Sequence, residues 1–558
     1  MDQPSSPTHN ARRWYENAVF YQVMVGTFYD DVGQGTGTLN GVSKKLDYLQ
    51  DLGVDCVWLS PFFASPRRDD GYDIADYRRI HPDYGTMADF ENLVEQVHQR
   101  GMHIIIDLAL NHTSSDHEWF QQSRFDPTGP FGDYYVWGDD PNRYPEIRVI
   151  FTDVETSNWT WDTEREQYYF HRFYSHQPDL NYDNPAVHAE IYSIVDFWMN
   201  KGIDGFRLDA IPYLYERDGL GGESLPETLE FLTALRAHMD KFYPDAVMVA
   251  EANQPPAPTR EFFGAGDRVQ MIFNFPLMPR MFQAMATSRS APISEIMREL
   301  TDLPVGCQWG NFVRNHDELT LEMVSGPERD LMYSAYLPDD SMRAHVGIAR
   351  RLAPLLDNDP AKITAMFNLL FSLPGTPFLY YGEELGMVDD TSLPDRYAVR
   401  TPMQWDPSEG GGFTTSLAPV RRITGGKGLD VASQINDPAS LLSSVKKMIA
   451  VRKATRALQF GRYAEVSTAK LAILAYTRTL DAQDAVMTTD PYSTQSVLCI
   501  TNFAPHSTML DKDLLQPLGG EGRVIAASPS IESELAQRRE IRVEPGFEIP
   551  GHSFLWLS

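Results

Sequence analysis

Short apolar runs alternate with segments of helical period along the first 440 residues of the chain. Within each run apolar side chains occupy consecutive positions, which is typical of parallel strands buried on both faces. Eight strand–helix units predict an α/β fold, a (β/α)8 TIM barrel. The eight runs span residues 18–25, 53–60, 102–112, 202–210, 246–252, 269–275, 310–317 and 377–384.

Helical spacing of apolar residues connects these runs. Phe90, Leu93, Val94 and Val97 recur at three- and four-residue intervals and predict a helix that ends before Gly101. Similar stripes precede the fourth and the fifth run. The resulting order of strand, helix and strand is the one that a parallel barrel requires.

Two connections are longer than a single helix needs. Residues 113–175 follow the third run, are rich in Trp, Tyr, Asp and Pro, and predict an inserted subdomain over the mouth of the barrel. Residues 318–365 follow the seventh run, and we interpret them as a lid. The barrel itself is therefore predicted over residues 1–112 and 176–440.

The pattern changes after the eighth unit. Short apolar runs separated by turns, at 470–480, 496–504, 540–549 and 553–558, predict antiparallel strands. Residues 441–558 are thus expected to form a C-terminal antiparallel β-sandwich. A chain of 558 residues is long enough for such a second core.

Composition narrows the class of protein. The formal net charge of −29 makes nucleic acid and anionic membranes poor partners. The sequence contains no apolar run of about 18 residues and starts without a secretory leader, so neither a membrane span nor export is predicted. Cys56, Cys307 and Cys499 are scattered, which predicts no disulfide framework and fits a reducing cytoplasm.

Polar side chains collect at the carboxyl ends of the predicted strands, where barrel enzymes carry their chemistry. A single Asp in such a place is usually a helix cap, but polar groups at four strand ends are not explained in that way. The residues are Asp107, Asn111 and His112 toward the end of the third strand, Arg207 and Asp209 on the fourth, Glu251 on the fifth, and His316 and Asp317 on the seventh.

Carboxylates combined with arginine and histidine favour glycosyl transfer, which needs one carboxylate as nucleophile and one carboxylic acid as proton donor. Arg207 and Asp209 are two residues apart, so both side chains point to the same side of their strand. Dinucleotide binding is not indicated, because no Gly-x-Gly-x-x-Gly follows a strand. Schiff-base chemistry is not indicated either, since these strand ends carry no lysine.

Four segments, DLALNH, GFRLDA, VAEANQ and VRNHDE, resemble the conserved blocks of the α-amylase family, glycoside hydrolase family 13, in the same order and on the same strands. Segments such as SHQPDLNYD, PYLYERDG and VRTPMQWDP are similar to the branch of that family that interconverts maltose and trehalose. The resemblance begins near Trp14 and covers nearly the whole chain.

This resemblance implies roles for single residues. Asp209 would be the nucleophile, Glu251 the general acid and base, and Asp317 a third carboxylate that grips sugar hydroxyls. Arg207 would keep Asp209 ionised. The expected reaction is retaining intramolecular glucosyl transfer through a covalent β-glucosyl-enzyme, with minor hydrolysis to glucose. The residues expected to enclose the sugars are Asp70, Tyr72, His112, Gln177, Arg207, His316 and Arg396, with Asn253 and Arg148 toward the second sugar.

The resemblance also implies a structural Ca²⁺ ion held by oxygen atoms, and no organic cofactor. The expected ligands are Asn111, Asp179 and Glu216 with the main-chain oxygens of Tyr213 and Leu214. The loop DDVGQGTGT at 30–38 departs from the family's metal-binding pattern, so a second metal is not expected there. The expected partners are a disaccharide substrate (maltose or trehalose) and a homo-oligomer of this chain, with a maltose kinase as a candidate.

Two further departures leave alternatives open. Gly26 stands where relatives commonly have Arg, and Pro255 where the maltose–trehalose branch usually has Trp, beside the expected acid and base. An α-glucosidase-type hydrolase of the same family is therefore a second hypothesis. A non-catalytic sugar-binding or scaffold protein is a third, against which the three intact carboxylates argue.

Overall fold

A computed structural model describes residues 13–300, 303–480, 496–535 and 542–558. Eight parallel strands form a closed barrel, each hydrogen-bonded to a neighbour on both sides, which confirms the predicted (β/α)8 fold. Barrel strands 1 to 8, in chain order, are Phe20–Val23, Cys56–Leu59, His103–Ala109, Gly205–Asp209, Val247–Ala250, Met271–Phe273, Gln308–Phe312 and Thr376–Tyr380.

Helices cover the outside of the barrel, as the apolar stripes predicted. Thr86 caps Met87–Gln99 through a hydrogen bond to the N–H of Asp89, and Phe90 lies on the buried face of this helix. The helices that follow the eight strands, in chain order, are Leu39–Lys44, Leu46–Leu52, Met87–Gln99, Pro185–Met199, Pro226–Phe242, Pro256–Glu261, Met278–Thr287, Ala291–Glu299, Pro360–Ser372 and Leu441–Ala454.

Two long connections carry their own small sheets. After barrel strand 3, helix Glu118–Phe125 precedes a three-stranded antiparallel sheet with aromatic residues in its core. After barrel strand 7, helix Gly326–Tyr336 accompanies a second three-stranded sheet. The strands are Trp137–Gly138, Trp159–Asp162 and Gln167–Phe170 in the first sheet, and Leu319–Thr320, Arg343–Ala344 and Gly347–Ile348 in the second.

The C-terminal part forms a six-stranded antiparallel sheet faced by a two-stranded sheet, as predicted. The predicted single strand at 540–549 differs in the structure. Residues 540–541 lie outside the described residues, and the rest of the run forms two strands in different sheets. The two strands are separate because the chain turns at Gly546, which has a φ of 94°. The sheet strands are Arg462–Glu465, Ile473–Thr479, Ser496–Asn502, Gly522–Ala527, Arg542–Val543 and Ser553–Leu557, and the pair is Thr508–Met509 and Glu548–Ile549.

The C-terminal sheet packs against the barrel. Trp556 is buried and its indole N–H donates to Asn368 Oδ1 at 2.6 Å, so a barrel helix and the sheet share one hydrogen bond in their interface. Cys56, Cys307 and Cys499 are all buried and unpaired. In the described ranges, no helix has both the length and the apolar character that a membrane crossing requires.

Candidate active site

The three carboxylates expected to be catalytic meet at the carboxyl-terminal mouth of the barrel. Asp209 is the last residue of barrel strand 4, Glu251 directly follows barrel strand 5, and Asp317 lies beyond barrel strand 7. All three line one cavity. The residues converge because a parallel barrel brings the carboxyl ends of all its strands to the same rim.

Arg207 lies beneath this cavity and contacts three carboxylates. Its Nη1 donates to Asp107 Oδ1 at 2.7 Å and to Asp209 Oδ1 at 2.5 Å, and its Nη2 donates to Glu251 Oε2 at 2.6 Å. Only 1% of its side chain is exposed, so water screens these contacts very little. Ala210 has a left-handed φ of 52° and directs its N–H to Glu251 Oε2. One cation thus fixes both Asp209 and Glu251.

The surroundings give Asp209 and Glu251 different proton affinities. Burial raises the pKa of Glu251 to about 8, the charges of Asp209 and Asp317 add to this rise, and Arg207 opposes it. Burial raises the pKa of Asp209 to about 6, again against Arg207. Near neutral pH Asp209 is therefore mostly ionised while Glu251 keeps its proton. These are the states that a nucleophile and a general acid need.

Asp317 is held as an anion. Burial opposes this, but His316 and the guanidinium groups of Arg396 and Arg400 lower the pKa of Asp317 far below its usual range. Because burial lowers the pKa of His316 and keeps it neutral, the two arginines are the effective cause. They donate to Asp317 Oδ1 at 3.0 and 3.1 Å. The third carboxylate therefore stays charged and can accept hydrogen bonds from sugar hydroxyls.

Most of the expected substrate residues line the cavity. His112 is an example: burial lowers its pKa to about 3, and its buried Nε2 has no hydrogen-bond partner among the described residues. This nitrogen is free to bind a sugar hydroxyl. Arg207 supports the cavity from below. Of the expected residues, those in the wall are Tyr72, His112, Gln177, Asn253, His316 and Arg396.

The prediction for Asp70 is wrong by one position, because Asp69 lines the cavity instead. Asp69 Oδ1 accepts a hydrogen bond from Arg396 at 2.9 Å. The Asp70 carboxylate lines a separate cavity and contacts Arg400 at 2.8 Å and Arg421 at 2.6 Å. Asp70 has a left-handed φ of 49°. This turn sends two successive side chains to different cavities, which the repeated Asp in the sequence did not reveal.

Gln22, at the end of barrel strand 1, was not predicted to act in the site. Its Nε2 lies 2.7 Å from His316 Nδ1. Because an amide nitrogen can only donate, Nδ1 must accept, and the neutral ring carries its proton on Nε2. That nitrogen lies 3.2 Å from Asp317 Oδ2. Gln22 thus sets the tautomer of His316, and the only hint in the sequence is a polar residue inside an apolar run.

Several other wall and supporting residues were missed. Asp69, Arg400 and Glu318 could have been found, since they stand in RRDDGYD, VRTPMQWDP and VRNHDE beside predicted positions. Phe275 ends the sixth predicted strand run, and the others come from loops whose sequences show no periodic pattern. The missed residues include Asp69, Arg400, Glu318, Glu322, Phe151, Phe173 and Phe275.

Arg148 lies farther out than expected. It donates to Glu223 Oε1 at 2.8 Å and to both carboxylate oxygens of Glu322 at 3.2 and 3.3 Å. Glu322 and Asn253 line both the catalytic cavity and an outer recess, whereas Arg148 and Pro255 line the recess alone. The ion pair of Arg148 with Glu322 therefore joins the 113–175 insertion to the segment after barrel strand 7, at the border between the two spaces.

The two remaining departures from the family pattern have local explanations. A Cβ atom on Gly26 would lie 2.8 Å from the hydroxyl of Tyr84, so a larger side chain would displace that ring. In the early loop, the Asp30 carboxylate accepts the N–H groups of Gly33 at 2.8 Å and of Gly35 at 2.7 Å. These hydrogen bonds hold the loop that carries a metal-binding pattern in relatives.

Asn111, Asp179 and Glu216 form a buried, oxygen-rich cluster. Asn111 Oδ1 and Asp179 Oδ2 are buried without a hydrogen-bond partner among the described residues. Burial raises the pKa of Asp179 to about 7, and burial together with Asp179 raises that of Glu216 well above its usual range. Tyr213 and Leu214 precede Glu216 in a tight turn. Buried oxygen atoms without a hydrogen-bond donor, and carboxyl groups whose ionisation is opposed by burial, are suitable ligands for a hard divalent cation.

The charged side chains of this cluster are too few to bind a metal ion by themselves. In the part of the chain that the structure describes, no three His, Cys, Asp or Glu side chains converge as a metal site. A cation here would also need the amide of Asn111 and main-chain oxygens. The N–H of Arg172 donates to Asp179 Oδ1 at 3.0 Å, and its positive charge lowers the pKa values of Asp179 and Glu216 against the effect of burial.

The chain matches the family of α-amylase catalytic domains over residues 22–336 and 348–461. It is 46% identical over 561 residues to the trehalose synthase/amylase of Mycolicibacterium smegmatis, covering 98% of this chain and 92% of the relative. It is 47% identical over 529 residues to the trehalose synthase of a Pimelobacter species, covering 92% and 90%. Among solved structures, the trehalulose synthase of Pseudomonas mesoacidophila aligns with a TM-score of 0.76 and 26% identity, covering 98% and 100%.

Proposed function

Because this chain belongs to the α-amylase family, we propose that it interconverts maltose and trehalose by retaining intramolecular glucosyl transfer. The similarity to trehalose synthases supports the choice of substrate. The observation that carries the chemistry is the contact of one guanidinium, Arg207, with both Asp209 and Glu251. The two carboxyl groups are also close enough for a mutual hydrogen bond, which adds to the effect of burial in raising the pKa of Glu251 and opposes that effect on the pKa of Asp209. Such a short separation favours a retaining enzyme, because an inverting enzyme needs room for a water molecule between its two carboxyl groups.

In the first step Asp209 attacks the anomeric carbon of the non-reducing glucose of maltose. Glu251 gives its proton to the glucosidic oxygen, that bond breaks, and a β-glucosyl-enzyme forms with free glucose. Asp317 and the neutral His112 bind hydroxyls of the reacting glucose. Arg207 contacts both groups from the start, and its charge balances that of Asp209 before the attack and that of Glu251 after Glu251 has lost its proton.

In the second step the freed glucose turns inside the cavity and presents its anomeric hydroxyl. Glu251, now a base, removes the proton of that hydroxyl, and the oxygen attacks the glucosyl carbon and releases Asp209. The two inversions give net retention and produce trehalose. Transfer exceeds hydrolysis only if water is kept out. The Arg148–Glu322 ion pair across the border of the cavity supports such closure.

We further propose that Asn111, Asp179 and Glu216, with main-chain oxygens of Tyr213 and Leu214, would hold a structural Ca²⁺ ion. When bound, the ion would supply positive charge that offsets the two buried carboxylates. Asn111 follows barrel strand 3, Asp179 follows the 113–175 insertion, and Glu216 follows barrel strand 4. The site would therefore tie the insertion to the barrel.

Incubation of the purified protein with maltose, followed by NMR of the anomeric protons, tests this function. Trehalose as the main product supports it, glucose alone supports the α-glucosidase alternative, and unchanged maltose supports a non-catalytic sugar-binding protein. Asp209→Ala is the matched control, because it removes the nucleophile and leaves the ion pairs at the cavity border in place. Product formation by Asp209→Ala at the wild-type rate would contradict the assignment.

A further inference from the structure

His345 joins three loops that cover the catalytic cavity. It lies after barrel strand 7, and its Nδ1 is 2.7 Å from Asp153 Oδ1 in the 113–175 insertion. Its Nε2 is 3.4 Å from Asp395 Oδ1 in the loop after barrel strand 8. The ring stacks on Phe151 with the centroids 3.9 Å apart and 13° between the planes. Only 4% of the side chain is exposed, so these contacts replace water.

Both ring nitrogens of His345 thus face carboxylates, but the two contacts differ. Asp153 is hydrogen-bonded twice, because its Oδ1 lies 2.7 Å from Nδ1 and its Oδ2 accepts the main-chain N–H of His345 at 3.2 Å. Nε2 has no hydrogen-bond partner among the described residues and reaches Asp395 only at the longer distance of 3.4 Å. The other charged groups nearby are Glu318, whose pKa His345 lowers against burial, and Arg396.

The two partner carboxylates are held as anions. Burial opposes this in Asp153, but the hydrogen bond from His345 lowers the pKa of Asp153. For Asp395, Arg396 and His345 together lower the pKa against the effect of burial. His345 and Asp395 have left-handed φ angles of 50° and 52°. Because a left-handed backbone is strained in residues other than glycine, these two conformations persist only where the packing around the His345–Asp395 contact holds them.

Two residues of the cavity wall depend on this contact. Asp395 Oδ1 accepts the N–H of Arg396 at 2.7 Å, and the guanidinium of Arg396 binds Asp317 at 3.0 Å. Phe151 lines the cavity on the other side and lies under the His345 ring. Phe151 and Asp395 therefore each contact His345 directly, and Arg396 is one further contact away.

We propose that His345 is a positioning residue whose ring clasps these three loops and keeps water out of the cavity during glucosyl transfer. The proposal rests on the proposed function, because only a glucosyl-enzyme can be partitioned between an acceptor sugar and water. When the clasp is lost, the loops separate more readily, water enters, and the fraction of glucosyl groups transferred to water rises.

The test uses His345→Asn, since Asn tolerates the left-handed backbone but is shorter and has no ring to stack on Phe151. His238→Asn is the matched control, because His238 also contacts a carboxylate, Asp196 at 2.7 Å, but on the outer helices. Products from maltose are measured by NMR at neutral pH, and the readout is the fraction of glucose among them.

His345→Asn should give a glucose fraction about tenfold above wild type, the factor of one lost hydrogen bond to a charged group. His238→Asn should give the wild-type fraction. A merely structural role would lower total activity without changing the ratio of glucose to trehalose. A wild-type product ratio in His345→Asn would overturn the proposal.

Hydrogen exchange separates a failure of this inference from a failure of the proposed function, because it needs no substrate. Amides in 150–155 and 343–350 should exchange about tenfold faster in His345→Asn than in wild type, after correction for intrinsic rates. If the wild-type protein leaves maltose unchanged, the proposed function is refuted, and hydrogen exchange alone then tests the clasp. Faster exchange then supports the clasp, and equal exchange refutes it.

Discussion

The guanidinium of Arg207 lies 2.5 Å from the carboxylate of Asp209, although only one residue separates them on barrel strand 4. Alternate residues of a strand point to the same side, so local geometry alone creates this pair. The fold adds Asp107 and Glu251 to the same guanidinium. One buried cation among three acidic groups cannot be removed without leaving unpaired negative charge, and this sets the first prediction.

Arg207→Lys should lower kcat/KM for maltose by about a thousandfold, since an ammonium is a point charge and cannot bind three carboxyl groups in the fork geometry of a guanidinium. The ammonium keeps the positive charge but leaves at least one buried acidic group without its hydrogen bond, which costs about 1–3 kcal/mol, so the variant should also unfold at a lower temperature. Kinetics and thermal unfolding measure both effects. Activity within tenfold of wild type would show that Arg207 does not hold the two catalytic groups.

The pH dependence of kcat/KM should be bell-shaped. With the pKa of Asp209 raised to about 6, activity falls as the pH drops below that value, because a protonated carboxyl cannot attack. With the pKa of Glu251 raised to about 8, activity falls as the pH rises above that value, because the leaving oxygen then lacks its proton donor. Initial rates at low maltose concentration measure the profile.

Glu251→Gln provides the control for the alkaline limb. With α-glucosyl fluoride, whose leaving group needs no proton, this variant should form the glucosyl-enzyme and should lack the alkaline limb. An alkaline limb that persists in Glu251→Gln would assign the titration to another group.

Glu322→Gln should raise the fraction of glucose among the products several-fold and lower trehalose formation less strongly. The substitution removes the charge that pairs with Arg148 at the border of the cavity, so the insertion opens more readily and water enters. Arg143→Met is the control, because Arg143 lies in the same insertion, its ion pair with Asp218 is long and exposed at 4.0 Å, and Met retains an apolar side chain over the Tyr144 ring on which the guanidinium lies. A similar rise in glucose in both variants would show that loosening the insertion in general, and not this ion pair, admits water.

Removal of Ca²⁺ with a chelator should lower the unfolding temperature by a few degrees, and Ca²⁺ should restore it. The physical reason is that the proposed ion would bind only the folded protein, in which Asn111, Asp179 and Glu216 are assembled. Mg²⁺ should restore much less, because it demands a smaller and more regular shell. Asp179→Asn should abolish the response to Ca²⁺. An equal response in wild type and Asp179→Asn would place the ion elsewhere or refute the site.

Much of this site could be read from short stretches of sequence. Apolar runs predicted the eight strands, and a strand of a parallel barrel delivers its carboxyl end to one rim, so Asp209, Glu251 and Asp317 had to share a mouth once the strands were identified. The Arg207–Asp209 pair needs nothing beyond the alternation of side chains. These features depend on neighbours in sequence, which is why the sequence determined them.

Contacts between loops were decided by the tertiary structure alone. Asp69 and Asp70 are equivalent in sequence, and a left-handed turn, held by Arg400 and Arg421, assigns them to different cavities. His345 meets Asp153 only because an insertion and a lid close over the same mouth. Loop residues lack the regular alternation by which a strand or helix directs its side chains. Their contacts are therefore decided by the packing of segments that lie far apart in the chain.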